Sequence, residues 1–191
     1  ALAVKAQTEG GIPLEINELV LARLNRFVGT PEGRRRVRDG LERMPLYRAM
    51  IERNLRERGF PAELLAVPLF ESGFDNSRFS PYPHRSAGIW QFIAPTARAY
   101  GLRVDRAADE RLDPIRATRA AMDYYALLHK EFGDWRLVLK AYNEGERRVR
   151  RLIEEHGTDD AWALERASTT ESYLSGAIAM MIVLKNPQLV D

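Results

Sequence analysis

Apolar residues recur at three- and four-residue spacing along most of the chain, the period of helices that pack by one face. From Pro13 onward, Ile16, Leu19, Val20, Leu24 and Phe27 keep that spacing until Gly29-Thr30-Pro31 breaks it. A second helix is predicted through Val37, Leu41 and Met44, with Arg34, Arg35, Arg36 and Arg38 on its outer side. A third opens at Pro45, carries Tyr47, Met50, Ile51 and Leu55, and closes at Gly59. Pro95 starts a short helix that ends at Gly101. Asp113-Pro114 marks another start, where a capping carboxylate precedes a proline whose missing N–H is not needed. Ile115, Ala121, Met122, Tyr125 and Leu128 form the stripe of that helix, which ends near Gly133. Asp134 caps a helix carrying Trp135, Val138, Leu139 and Tyr142 to Gly145, and a basic helix then runs to Gly157. Residues 158–160 read as a turn, and a last helix over roughly residues 170–184 carries Tyr173, Leu174, Ala177, Ile178, Met181 and Ile182.

One stretch departs from simple amphipathicity. Leu64-Leu65-Ala66-Val67-Pro68-Leu69-Phe70 is apolar throughout and delivers Glu71 at its end, before Ser72-Gly73-Phe74. Pro61 suits a first helical position, and Gly73 suits the residue past a helix end. Counting back from Glu71 by three, four and seven residues gives Pro68, Val67 and Leu64, which places the carboxylate on the apolar stripe. Burial there and the negative end of the helix dipole both favour its protonated form. The plainer alternative is a glutamate turned outward at a frayed end. Residues 74–88, with two prolines and no sustained period, read as a long loop or short hairpin, a length that usually carries function.

Length and composition fit one mainly α domain. The chain has 191 residues, is 45% hydrophobic, and balances 29 basic against 27 acidic side chains. That balance argues against a dedicated nucleic-acid binder. The absence of cysteine excludes a disulfide framework and thiolate chemistry. His84, His129 and His156 are scattered and form no metal-ligand pair, and no phosphate-cradling loop or nucleophile elbow is present. No cofactor or metal is expected. The run from Ala177 to Leu184 is too short to span a bilayer, and the start at Ala1 leaves room upstream for a signal, a membrane anchor or a further domain.

The remaining chemistry has one theme. The loop after Glu71 supplies Ser72, Ser80 and Ser86 as hydroxyl donors, Trp90-Gln91 an aromatic beside an amide, and Tyr142-Asn143 a phenol and a second amide. Aromatics stack on sugar faces, and amides and hydroxyls bind sugar hydroxyl and acetamido groups. A carboxylic acid with that lining is a sugar-polymer cleft. Each element also has a structural alternative: Trp90 and Phe92 as core residues, Tyr142 as a core tyrosine, Asn143 as a helix terminus.

These residues fall in an order and spacing that resembles the family 1 lytic transglycosylases, whose catalytic domain is similar to goose-type lysozyme. The membrane-bound type D branch is the most similar. The matching segments are Glu71-Ser72-Gly73-Phe74, Ser80, Gly88-Ile89-Trp90-Gln91-Phe92, Pro95-Thr96-Ala97, Tyr100-Gly101-Leu102, Asp109-Glu110-Arg111, Asp113-Pro114 and Ala141-Tyr142-Asn143 with Gly145. The likeness spans about residues 12–185. It implies a lysozyme-like helical fold with one irregular loop or short hairpin after the Glu71 helix. It divides the chain into an N-terminal helical segment (1–58), a catalytic core (59–157) and a C-terminal helix completing the domain (158–191).

The implied activity is cleavage of the β-1,4 bond between N-acetylmuramic acid and N-acetylglucosamine, leaving 1,6-anhydro ends, with Glu71 as acid and then base. Substrate-binding roles are implied for Ser72, Ser80, Ser86, Trp90, Gln91, Tyr142, Asn143 and Tyr173. Tyr142 would hold the acetamido group or Glu71, and Ser80 would approach the C6 hydroxyl or Glu71. The implied partner is the glycan strand of peptidoglycan, not nucleic acid, with a monomer acting in the periplasm or cell envelope. Three departures stand out. The 80–88 loop is about two residues longer than usual, which puts Tyr82, His84 and Arg85 beside the cleft. Glu144 replaces an alanine, and Thr169 stands where relatives carry a glutamate, with Glu171 or Glu144 as candidate substitutes. A hydrolysing lysozyme using Asp75 or Glu144 to activate water, and a glycan-binding module without activity, are the competing readings.

Overall fold

The structure, a computed structural model, describes residues 11–81, 85–168 and 173–191. It is helical: α1 Glu18–Val28, α2 Pro31–Arg43, α3 Pro45–Glu57, α4 Ala66–Glu71, α5 Ala94–Ala99, α6 Pro114–Phe132, α7 Trp135–Glu144, α8 Glu146–His156, α9 Ala161–Ala167 and α10 Tyr173–Lys185. The starts follow their capping side chains. The side-chain oxygens of Asn17, Thr30, Asp113, Asp134 and Asp160 each accept from an otherwise unpaired backbone N–H of the first turn. α1 therefore begins at Glu18 rather than Pro13, and Ile12 and Leu14 are buried in the segment leading into it.

α10 is the centre of the packing. Every residue from Tyr173 to Val183 is buried, so the helix has no polar face, and it packs against α1, α4 and α7. Residues from α1 to α10 contribute to one continuous hydrophobic core. Among the described residues no helix is long and apolar enough to cross a membrane.

Two expected elements are corrected. The single helix expected from Pro61 is split into a 3-10 turn, Ala62–Leu65, followed by the short α4. Pro68 explains the break: it cannot donate to the preceding turn, and its ring is tolerated only in the first turn of an α-helix. α9 is a second correction, a further helix between the turn at 158–160 and α10. α10 itself meets α4 closely. A Cβ on Gly176 would stand 2.5 Å from the Phe70 ring, so only glycine lets that ring lie on the helix backbone.

The segment after α4 is irregular. It carries antiparallel bridges Phe79–Ala87 and Ala87–Phe92 and no named strand among the described residues. Arg111 braces it from below. Its buried guanidinium is held by Asp109 and donates to the carbonyls of Arg85 at 2.8 Å and Phe92 at 3.0 Å.

Candidate active site

Glu71 is the last residue of α4. Ser72 then ends the helix by folding its hydroxyl back between the carbonyls of Pro68 and Ile89, at 3.1 and 3.0 Å. Gly73 and Phe74 both take left-handed backbone angles, φ +63° and +56°, and turn the chain away from the carboxylate. Glu71 lies where two cavities of about 680 and 380 Å³ meet. Ser80, Ser86, Gln91 and Asn143 line both.

Glu71 keeps part of its surface open to the cleft, while protein surrounds it elsewhere. This burial pushes its carboxyl up to about 7, well above the ordinary glutamate range. A hydrogen bond from Tyr173 and the charges of Arg78 and Arg36 oppose that rise without cancelling it. The Tyr173 hydroxyl donates to Glu71 Oε1 at 2.7 Å. Its own titration is pushed well above the usual phenol range by burial and by the Glu71 charge, so it stays a donor.

The structure brings together most of the residues singled out in the sequence. Tyr142 is half-buried in the wall of the smaller cavity, with its ring stacked 5.0 Å from Tyr125 and its hydroxyl donating to the Trp90 carbonyl at 2.7 Å. Asn143 is exposed at the junction. Gln91 holds the rim: its amide donates to the carbonyls of Gly88 and Arg78, and its Oε1 accepts from the Ser86 hydroxyl at 2.9 Å. The Ser80 N–H donates to the Ser86 carbonyl at 2.8 Å, which closes the loop beside Glu71.

Two of the expected substrate-binding residues do not face the cleft. Trp90 is fully buried and donates its Nε1–H to Thr118 at 2.9 Å, so it is a core residue and not an aromatic platform. Ser72 is buried with its hydroxyl bound to backbone carbonyls. Phe92, Tyr124 and Tyr142 supply the aromatic lining instead. The arginines of α2 do not all sit on an outer side: Arg34 donates to the Val28 carbonyl, Arg38 to that of Val190, and Arg36 lines the larger cavity. Thr169 and Glu171, and Tyr82 and His84, lie outside the described residues.

Glu144 has a different setting from the one anticipated. Lys140, fully buried on α7, bonds Glu144 at 2.5 Å and Glu165 of α9 at 3.2 Å. Glu165 in turn accepts the Ser175 N–H at 3.1 Å, in the first turn of α10, two residues after Tyr173. Arg148 completes the cluster at 3.0 Å from Glu144. The end of α7 that carries Tyr142 and Asn143 is thereby tied to the start of the helix that carries Tyr173.

Comparison with known proteins gives a consistent result. The family model described as "Transglycosylase SLT domain" matches residues 48–165. The chain is 37% identical over 145 residues to membrane-bound lytic murein transglycosylase D of Escherichia coli K12, an alignment covering 73% of this chain and 32% of that protein. It thus spans about a third of that relative's length. It is 33% identical over 146 residues to a putative tributyltin chloride resistance protein of Alteromonas sp., covering 74% of this chain and 70% of that one. In three dimensions it resembles the 70 kDa soluble lytic transglycosylase of Escherichia coli with a TM-score of 0.62 and 21% identity, over 75% of this chain and 25% of that one, a likeness of fold.

Proposed function

The chain belongs to the transglycosylase SLT domain family, and from that premise we propose that it is a peptidoglycan lytic transglycosylase of the cell envelope with Glu71 as its acid and base. The carrying observation is the setting of Glu71: a carboxyl raised to about 7, held by Tyr173, at the meeting point of two cavities. A group with that value holds a proton near neutral pH and can still part with it, which acid–base catalysis requires.

The steps follow. Glu71 gives its proton to the glycosidic oxygen between N-acetylmuramic acid and N-acetylglucosamine as the C1–O bond breaks. The substrate's acetamido oxygen stabilises the positive charge developing at C1. Glu71, now anionic, takes the proton of the muramic C6 hydroxyl, and that oxygen bonds to C1. The product carries a 1,6-anhydro ring, Glu71 is protonated again, and no water is consumed. Asn143 and Tyr142 line the side of the cleft on which a sugar's acetamido group can be held.

A hydrolytic route needs a second carboxylate to activate water. Asp75 is bonded to Ser77 and lines neither cavity, while Glu144 lines the smaller one with its carboxylate bonded to Lys140 and Arg148, which disfavours this route. Digestion of purified peptidoglycan followed by mass analysis of the released fragments tests the proposal. Anhydro ends are expected, and reducing ends would refute it. Glu71→Gln should abolish release while the thermal unfolding transition persists. Digestion by that variant at the rate of the unsubstituted protein would remove Glu71 from its role.

A further inference from the structure

The two halves of the cleft differ in charge. Arg23 and Arg26, one turn apart on α1, Arg36 on α2 and Arg78 in the loop after α4 all line the larger cavity, whose carboxyl groups are Glu71 and Glu32. Among the described residues, the lining of the smaller cavity includes no basic side chain. Guanidinium groups elsewhere in the chain meet carboxylates, as at Arg58–Asp123, Arg111–Asp109 and Arg136–Glu15, or backbone carbonyls, as at Arg34, Arg38 and Arg43. Arg26, Arg36 and Arg78 have no carboxylate within 4.0 Å among the described residues. Converging like charges repel, so a wall of this kind is maintained at a cost unless an anion comes to it. Sugar hydroxyl and acetamido groups are neutral and do not need it.

We infer that the arginine-lined half of the cleft is a carboxylate-binding subsite that holds an anionic group of the glycan on one side of the bond to be cut. The inference rests on the glycan reading of the cleft. The planar fork of arginine donates two parallel hydrogen bonds to a carboxylate, which fixes orientation as well as adding attraction. In peptidoglycan such a group has two sources: the lactyl carboxylate of a muramic residue without a peptide, or the carboxylates of an attached peptide stem. Since the basic side chains among the described residues line one half of the cleft, the subsite also gives the strand a direction across Glu71.

Binding, measured apart from cleavage, tests this. Glu71→Gln protein is titrated calorimetrically with soluble glycan fragments in four forms: with peptide stems, stripped of them, and each of these with its carboxylates converted to carboxamides. Conversion should weaken binding about tenfold in the form that supplies the anion. Loss confined to the peptide-bearing pair assigns the stem carboxylates; loss confined to the stripped pair assigns the lactyl group. Adding Arg36→Gln and Arg78→Gln should reproduce the loss on the carboxylate form and leave binding of the carboxamide form unchanged. Equal binding of both forms by the Glu71→Gln protein overturns the inference, as does an equal loss on both in the arginine variant. Failure of the unsubstituted protein to release anhydro ends strikes only the proposed reaction.

Discussion

At the scale of single residues, the pair Glu71 and Tyr173 sets the pH dependence expected of the proposed reaction. Burial raises the Glu71 carboxyl, and the bond from Tyr173 partly lowers it again. In the proposed reaction Glu71 begins as an acid and must be protonated, so kcat/KM should hold below its value of about 7 and fall as pH rises through it. Tyr173→Phe removes a lowering influence. The alkaline limb of the profile should therefore move to higher pH, while kcat drops because the carboxylate loses its orienting donor. A limb that stays in place or moves to lower pH would show that the hydroxyl does not act on Glu71. Residue identity was only partly legible in the sequence. Glu71, Tyr142, Asn143 and Gln91 stood out because an acid, a phenol and amides are the groups that handle sugars. Trp90 and Ser72 stood out for the same reason, yet their polar atoms satisfy Thr118 and backbone carbonyls in the interior. A one-dimensional pattern cannot tell which hydrogen-bonding partner a side chain finds. Nor could it bring Arg23, Arg26, Arg36 and Arg78 together, because they reach one cavity from α1, α2 and the loop after α4.

At the scale of elements, boundaries written in capping side chains and prolines were legible, as at Asp113-Pro114 and Asp134. α9 was not, since Ala161–Ala167 is too short to display a helical period. The join between α7, α9 and α10 was also hidden. Its centre is Lys140, which occupies an apolar-looking helix face and is fully buried against Glu144 and Glu165. Removing Lys140 leaves Glu165 buried without a cation and Glu144 with Arg148 alone, and breaking a buried pair in this way costs about 3–5 kcal/mol. Lys140→Met should lower the unfolding midpoint in denaturant accordingly. Adding Glu144→Gln and Glu165→Gln to that variant should recover much of the loss, because the stranded charges go with them. A Lys140→Met protein as stable as the parent would show that the cluster does not tie the three helices together.

At the scale of the whole molecule, the cleft exists because helices from both ends of the chain meet on one buried rod. α1 and α4 form one wall, α7 bounds the other, and α10 runs between and beneath them. A chain shortened to end before Tyr173 loses every contact that α10 makes. It should show no cooperative transition in urea, and a sharp transition in that shortened chain would displace α10 from its central place. This arrangement also orders events in time. A ribosome releases a polypeptide from its amino end, so the helices that will enclose α10 emerge before it does, with their apolar faces uncovered. Closure of the interior waits for Tyr173 through Val183, and the hydroxyl that grips Glu71 arrives on the first residue of that stretch. Tyr173 therefore cannot meet Glu71 until α10 has been made and docked.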